Sequence, residues 1–302
     1  MSIAGRTSNE YNADGLSGVK KNTRRRRVIF IIAIILLALL AELLRSNLYI
    51  SVDEYLYMSN DLPAGFSGVK IVQISDYHNS GEGFCDRLLS KVKLESPDYI
   101  FITGDTADSI CTDLKAAEGF LEKVSKIADC YLVWGNHDLA LSLDDQKRLK
   151  DCCVNNGITV LENSYAVLER GSDKVLLVGT DQSMDSTQVE RMFGSVPKGC
   201  KTVIWLHHYP EDFKDIVDVS EKAGIGADLV FSGHAHGGLI GIPFAEGLYA
   251  PGQGFFPEYA SGRYEYGSSV MLVSRGVGNS GYTKRLFNSL HLVVCELKSG
   301  KK

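Results

Sequence analysis

Ile71-Val72-Gln73-Ile74-Ser75-Asp76-Tyr77-His78 is an apolar run that stops on two side chains able to bind a metal. Four more stretches repeat the pattern. Tyr99-Ile100-Phe101-Ile102-Thr103-Gly104 ends at Asp105, and Tyr131-Leu132-Val133-Trp134-Gly135 ends at Asn136-His137-Asp138. Val203-Ile204-Trp205-Leu206 ends at His207-His208, and Leu229-Val230-Phe231-Ser232-Gly233 ends at His234-Ala235-His236. Short β-rich apolar runs bounded by glycine and polar residues read as buried strands. In open α/β sheets, ligands bind just beyond the carboxyl ends of the strands. Five strands delivering Asp, Asn and His to one edge predict a metal centre.

Working outward, residues 48–59, 69–75, 166–168 and 175–178 read as further strand segments, with 270–274 and 292–297 late in the chain. Residues 88–95, 114–127, 143–155 and 211–222 read as helices. Strand and helix alternate early and strands dominate the end, which predicts an α/β chain of mixed sheets with helices outside. No repeat of fixed period is visible, and no linker divides the region after residue 48. Residues 243–257 (PFAEGLYAPGQGFFP) are too irregular for a regular element. They directly follow His236 and read either as a wall or lid of the site or as a structural surface loop.

The chain has 302 residues, 44% of them hydrophobic and 23% charged, enough for one large α/β domain or two small ones. Its net charge of −5 is unevenly spread. Residues 1–27 carry seven basic side chains against Glu10 and Asp14, so the remainder sums to −10. An acidic main domain lacks the basic footprint of a nucleic-acid binder. The seven cysteines avoid the strand ends and form no CxxC pair, so they read as packing residues rather than a disulfide framework or thiol site.

Residues 28–44 (VIFIIAIILLALLAELL) are apolar but for Glu42 and follow four consecutive arginines. At about 1.5 Å per residue they reach about 25 Å, and flanking Arg27 and Arg45 can extend the span by snorkelling. The position before Ala41 that a signal peptidase reads is Leu39, a poor match to a small-residue cleavage site. An uncleaved anchor over residues 28–45 is the reading, with a cleaved export signal as the alternative. The positive-inside rule puts residues 1–27 in the cytoplasm, as a basic disordered tail, and residues 46–302 outside, as the catalytic domain.

On an extended strand end, residues two apart point to one side. Asp76 and His78 can then share a metal, and His234 and His236 have the same spacing. Asn136 and His137 are adjacent and point apart, one to metal and one to substrate. Asp105 has two carboxylate oxygens and can bridge two ions. Paired ions about 3.5–4 Å apart activate a bridging water and clamp an in-line phosphoryl displacement. Two divalent ions against Asp76, Asp105 and a bridging hydroxide leave a net charge of about +1, which attracts an anion in a low-dielectric cleft. Mixed nitrogen and oxygen donors without sulfur suit Mn, Fe, Zn or Co better than Ca or Mg alone.

The ordered set DxH, GDxxD, GNHD, HxP and GHxH, running from Asp76 to His236, resembles the calcineurin-like metallophosphoesterases. The tail from GHAHGGLIGIPF to SRGVGNSG looks like that of a bacterial subgroup with an N-terminal anchor or export signal. The resemblance implies a four-layer α/β/β/α sandwich of two mixed sheets, preceded here by one transmembrane helix. It implies one metal held by Asp76, His78, Asp105 and His236, and a second held by Asp105, Asn136, His208 and His234. His208, before Tyr209-Pro210, is the ligand of the HxP motif, and His207 is structural. His137 is the implied general acid, and Asp108 the carboxylate that orients it and raises its pKa. Tyr77 and Asn79-Ser80 stand where this subgroup often has Leu and Gly, which bears on the substrate pocket beside His78.

The function that follows is dinuclear metal-dependent hydrolysis of a phosphodiester or pyrophosphate on a small-molecule or lipid substrate, by a metal-bridging hydroxide. The alternatives are a metal-retaining module that binds a phosphorylated ligand without turnover, and a structural protein braced by metal.

Overall fold

Runs such as 71–74 and 99–103 are apolar on both faces and need cover on both. The computed structural model describes residues 10–181, 186–194, 196, 199–241, 247–281 and 283–300. Its strands in chain order are β1 (Ile50–Ser59), β2 (Lys70–Ile74), β3 (Tyr99–Thr103), β4 (Asp129–Val133), β5 (Thr159–Val160), β6 (Ser164–Arg170) and β7 (Asp173–Thr180). They continue as β8 (Val203–His207), β9 (Leu229–Ser232), β10 (Tyr249–Ala250), β11 (Gly254–Phe255), β12 (Gly262–Tyr266), β13 (Ser269–Val273) and β14 (Leu290–Ser299). The helices are α1 (Glu10–Leu48), α2 (Glu82–Glu95), α3 (Leu114–Val124), α4 (Asn136–Leu139), α5 (Leu143–Asn155), α6 (Ser186–Phe193) and α7 (Phe213–Lys222).

Two six-stranded sheets form, in the orders β1-β14-β2-β3-β4-β5 and β12-β13-β9-β8-β7-β6. In the first, β2 to β5 run parallel and β14 lies antiparallel to β2. In the second, β13, β9, β8 and β7 are parallel, flanked by antiparallel β12 and β6. Successive strand residues face opposite sides, and this divides the core into three. Ile71, Phe101 and Val133 from one sheet meet Leu177, Ile204 and Phe231 from the other. On the outer face of the first sheet, Val72, Ile100 and Ile102 pack under α2, α3 and α5 through Leu88, Phe120 and Leu149. On the outer face of the second, Trp205 and Val230 pack with Val189 of α6 and Phe213 and Val217 of α7. The result is helix, sheet, sheet, helix, the four-layer arrangement expected.

Several boundaries differ from expectation. Helix α2 begins at Glu82, six residues before the expected start, because its first turn carries only Phe84 and Cys85 as apolar signal. Helices α4 and α6 were not expected; α4 is a single turn with no room for a hydrophobic period. Within 243–257, residues 242–246 lie outside the described set, and the rest includes the small antiparallel pair β10–β11. Tyr77 stacks on Phe120 with ring centroids 4.2 Å apart and is 1% exposed, so it belongs to the core under α3 and not to a pocket. All seven cysteines are free thiols.

The chain divides into two units, residues 1–45 and 46–302. In the first, an apolar helical stretch, Arg24–Leu48 when its last residues are included, spans 25 residues. At about 1.5 Å per residue that is about 37 Å, enough to cross a hydrocarbon core of about 30 Å. Helix α1 starts at Glu10, so residues 10–27, expected to be disordered, are helical here. Extending a nucleated helix costs far less than starting one.

Phe101 sits between the sheets, fully buried, with its ring edge-on to Phe231 at 5.4 Å and to Tyr131 at 6.1 Å. Phe101→Ala removes that bridge and is expected to destabilise the domain by about 3–5 kcal/mol, read from denaturant unfolding of the detergent-solubilised chain.

Candidate metal centre

Every strand named at the outset stops at one edge of its sheet, and the residue that follows turns inward. Strand β2 stops at Ile74, so Asp76 and His78 lie past its end. They do not keep the extended geometry inferred from their spacing. Asp76 and His78 have φ of 55° and 47°, Asp105 has 53°, and His234 and His236 have 65° and 49°. Left-handed backbone at a non-glycine residue costs about 1–3 kcal/mol and persists where the surroundings impose it. Five such residues at one edge aim five side chains at one point, where an extended chain would carry them onward.

Glycine permits the close approach. A Cβ at Gly104 (φ 90°) would lie 2.5 Å from His208 Nδ1 and 2.7 Å from Gly135 N. A Cβ at Gly135 would strike Asp105. The glycine of each GD and GN pair therefore lets the ends of β3, β4 and β8 meet without a side chain between them.

Three overlapping groups of ligand atoms result, each with its atoms within 4.8 Å of one another: the two clusters Asp76, His78 and His236, and Asp105, His208 and His234, and a third group of His78, Asp105 and His137 that joins them. Asp105 Oδ2 is 3.3 Å from His208 Nε2 and 3.7 Å from His78 Nε2, so it faces both. Asn136 Oδ1 lies 3.2 Å from His208 Nε2, and the Nε2 atoms of His78 and His236 are 3.3 Å apart. Asp76 is fully buried, and Asp105 and His78 are nearly so. All seven expected ligands are thus brought together.

The donor atoms fit divalent cations. His208 Nδ1 donates to the carbonyl of Thr103 at 2.7 Å, so its Nε2 is left as the free lone pair, aimed at two oxygens, Asp105 Oδ2 and Asn136 Oδ1. That arrangement repels unless a positive charge sits on or near Nε2. With a proton in that role, burial works against charge on His208, yet Asp105 and Asp76 push it up to about 10. Burial alone would raise Asp105, but the neighbouring His208 holds it well below the usual carboxylate range. Burial, reinforced by His208, pushes His234 down to about 3, and burial with Arg285 lowers His236, so both stay neutral as ligands must. His236 Nδ1 faces Arg285 Nη2 at 2.9 Å, a group that can only donate, so without metal the His236 proton sits on Nε2, 3.5 Å from Asp76. Loading a cation there displaces that proton.

The expected Asp108–His137 pair differs from what forms. The Asp108 carboxylate accepts from the backbone N–H groups of Ile110, Cys111 and Gly281 at 2.7, 3.1 and 2.6 Å. It lies 3.5 Å from His78 Nδ1 and 3.7 Å from His137 Nδ1, closer to a ligand than to the catalytic candidate. His137 Nδ1 instead receives the backbone N–H of Ser109 at 3.2 Å, with Ser109 Oγ at 2.9 Å. A backbone N–H can only donate, so the His137 proton sits on Nε2, 3.2 Å from Ser280 Oγ. Burial lowers the His137 pKa, with Asp105 opposing it, where a rise was expected.

Other residues at the site take no role from the sequence, although Asp138 closes the GNHD motif. Asp138 accepts from Gly135 N, Thr106 N and Ala107 N at 3.1, 3.3 and 2.9 Å, tying the β3 and β4 ends together, and burial with nearby Asp105 raises it to about 6. Arg285 is 1% exposed and holds Gly278 O and Asn279 Oδ1, while Asn288 Nδ2 holds the carbonyl of His236 at 2.6 Å. They reach the centre from a loop about fifty residues beyond His236, and no local pattern marks them. Glu211, two places before a helix and readable as a helix-start acid, brings Oε1 to 3.9 Å from His234 Nε2. His207 is buried, with Nδ1 2.8 Å from Thr180 Oγ1 and Nε2 3.0 Å from Asp212 Oδ2; it faces away from both clusters and secures the turn after His208.

Comparison with known proteins fits this centre. Residues 69–238 match the calcineurin-like phosphoesterase pattern. The chain is 30% identical to an uncharacterised metallophosphoesterase of Campylobacter jejuni, over 91% of this chain and 71% of that one. It is 28% identical to a transmembrane protein with a metallophosphoesterase domain from Danio rerio, over 71% of this chain and 53% of that protein. It is 25% identical to the phosphodiesterase YaeI of Escherichia coli, over 70% and 75% of the two chains. With a match that covers more than half of its length, this chain belongs to the calcineurin-like phosphoesterases, hydrolases that use divalent metals to cleave phosphoesters.

Proposed function

We propose that this protein is a membrane-anchored, dinuclear metal-dependent phosphodiesterase or pyrophosphatase. The observation that carries the reading is the shared carboxylate: Asp105 Oδ2 lies 3.7 Å from His78 Nε2 of one ligand cluster and 3.3 Å from His208 Nε2 of the other. Asp76, His78, Asp105 and His236 would hold one cation, and Asp105, Asn136, His208 and His234 the other. The mixed nitrogen and oxygen donors favour Mn, Fe or Zn. When bound, the two cations activate water for in-line attack on phosphorus and offset charge on the phosphoryl oxygens.

The chain's own residues supply the rest. Thr103 O fixes the tautomer and plane of His208, and Arg285 and Asn288 fix His236 and the backbone that carries it. His137 is held neutral with its proton on Nε2 by the Ser109 N–H. It acts as a hydrogen-bond donor to the leaving or phosphoryl oxygen, and Ser280 Oγ is the partner it exchanges for substrate. Asp108 braces the loop that bears Ser109, the partner of His137, and steadies His78 from behind. Four arginines at 24–27 support an anchor with a cytoplasmic N-terminus and an extracytoplasmic domain.

A phosphodiester panel with Mn²⁺, Zn²⁺, Fe²⁺ and Mg²⁺ on the detergent-solubilised chain tests the reading. Turnover abolished by a chelator and restored by metal is expected; metal retained without turnover of any ester would leave a binding module instead. Asp105→Asn should abolish activity and leave one bound ion or none by elemental analysis, and two retained ions would contradict the bridging role. His137→Asn should lower kcat by about 10²–10⁴ at unchanged metal content. His208→Ala should lose metal. His207→Ala should keep both metals and substantial activity while losing about 1–3 kcal/mol of stability as Thr180 and Asp212 lose their partner.

A further inference from the structure

Several exposed large apolar side chains of the domain, Phe255, Phe256, Tyr249, Ile240, Phe287 and Ile110, lie on segments that connect into a band near the metal centre, apart from isolated ones such as Leu94 and Leu143 on the outer helices. Phe255 and Phe256 are 70% and 68% exposed. They sit at the far end of the β10–β11 hairpin, whose turn residue Gly252 packs against Glu211 and comes close to His234. From there the backbone connects step by step. Phe256 N–H donates to Leu248 O at 2.9 Å, and Leu248 N–H to Ile240 O at 3.0 Å. Gly241 N–H then donates to Leu286 O at 2.8 Å, beside Phe287, which is 54% exposed. Asn47 exchanges hydrogen bonds with Arg285, its Nδ2 to the carbonyl at 2.9 Å and its Oδ1 from the N–H at 3.1 Å. Asn279 Nδ2 also donates to Asn47 Oδ1, and Gly281, close by, lies against exposed Ile110 and donates to Asp108.

The band therefore runs from the metal centre to residues 46–49, where the domain begins. Leu48 and Tyr49 are 58% and 54% exposed, and Leu48 is also the last residue of the apolar stretch Arg24–Leu48. Whatever surrounds the end of that stretch is met by the band without any intervening linker. Its composition points to the same neighbour. Tyr49 carries the Lys91 ammonium 5.6 Å from its ring centre, Tyr249 rests against Phe255, and Lys284, three residues before Phe287 in the chain, is exposed. Aromatic rings with lysines at their margin are the pattern of a membrane–water interface, whereas the centre of a protein–protein contact is depleted in lysine.

We propose that this band docks on the bilayer surface, so that the metal centre acts on phosphoesters presented at the membrane interface. The proposal rests on the hydrolytic reading above and names the place where its substrate is held. Binding strength of such a surface scales with the apolar area it buries, and two phenylalanines are its largest exposed contribution.

The test uses the full chain reconstituted in phosphatidylcholine–phosphatidylglycerol vesicles and loaded with Mn²⁺. Phe255→Trp is expected to gain emission that brominated lipids quench, relative to unsubstituted protein carrying only Trp134 and Trp205. The double variant Phe255→Ser, Phe256→Ser is expected to cleave a vesicle-borne p-nitrophenyl phosphodiester lipid about tenfold more slowly, while soluble bis(p-nitrophenyl) phosphate is cleaved as before. Absence of quenching overturns the proposal, and so does equal loss on both substrates, which would make the hairpin part of the centre. A dimer in detergent that shields the Phe255→Trp indole from both quencher and water would assign the band to a second copy of the chain and also overturn it. If no variant cleaves either ester, the hydrolytic reading fails while quenching still decides docking.

Discussion

Asp105 exposes 1% of its surface and faces imidazoles on two sides. A carboxylate so far from water is tolerated only beside positive charge. The surrounding structure follows from that requirement. His208 must present a bare Nε2, so its other nitrogen is tied to Thr103 O. His236 must stay neutral, and burial, reinforced by Arg285 beside it, keeps it so. The divalent metals that the family uses would supply that positive charge in place of the proton on His208.

That convergence is held against backbone strain. Five ligands adopt left-handed φ, and each would relax if the strands beneath it were free to shift. They are not free. Three apolar cores lock both sheets, and Gln73 crosses the interior near the centre, donating to Thr103 Oγ1 and Ser232 O at 2.8 Å each. The packing energy of the four layers is spent in part on holding the ligand geometry, which is how a rigid scaffold preorganises a site.

The neutral His137 alters how such a centre is read. A carboxylate partner would favour imidazolium; a backbone N–H on Nδ1 favours the neutral ring with Nε2–H outward. On the proposed reading the ring acts by hydrogen-bond donation from Nε2. Beyond it, the apolar band and the anchor place two membrane-compatible features on one chain, which bears on where substrate is found more than on how it is cleaved.

The order of apolar runs and polar stops in the sequence determined that these strands are buried on both faces and end in ligand-type side chains, which gather because parallel strands of one sheet share a carboxyl edge. That the edge of β2, β3 and β4 meets the edge of β8 and β9 was decided by the packing of the two sheets. How they meet was decided by tertiary structure: Asp76 and His78 converge through left-handed turns and not through strand periodicity, and a φ angle leaves no trace in composition. Tyr77 departs from the subgroup pattern beside His78, but its ring stacks on Phe120 in the core, a placement its position in the motif does not reveal. Asp108 met Gly281, Ser109 met His137 and Arg285 met His236, each far apart in the chain, where hydrogen bonding depends on distances that no local spacing encodes. A sequence specifies which groups must leave water; the packed chain specifies what each finds when it does.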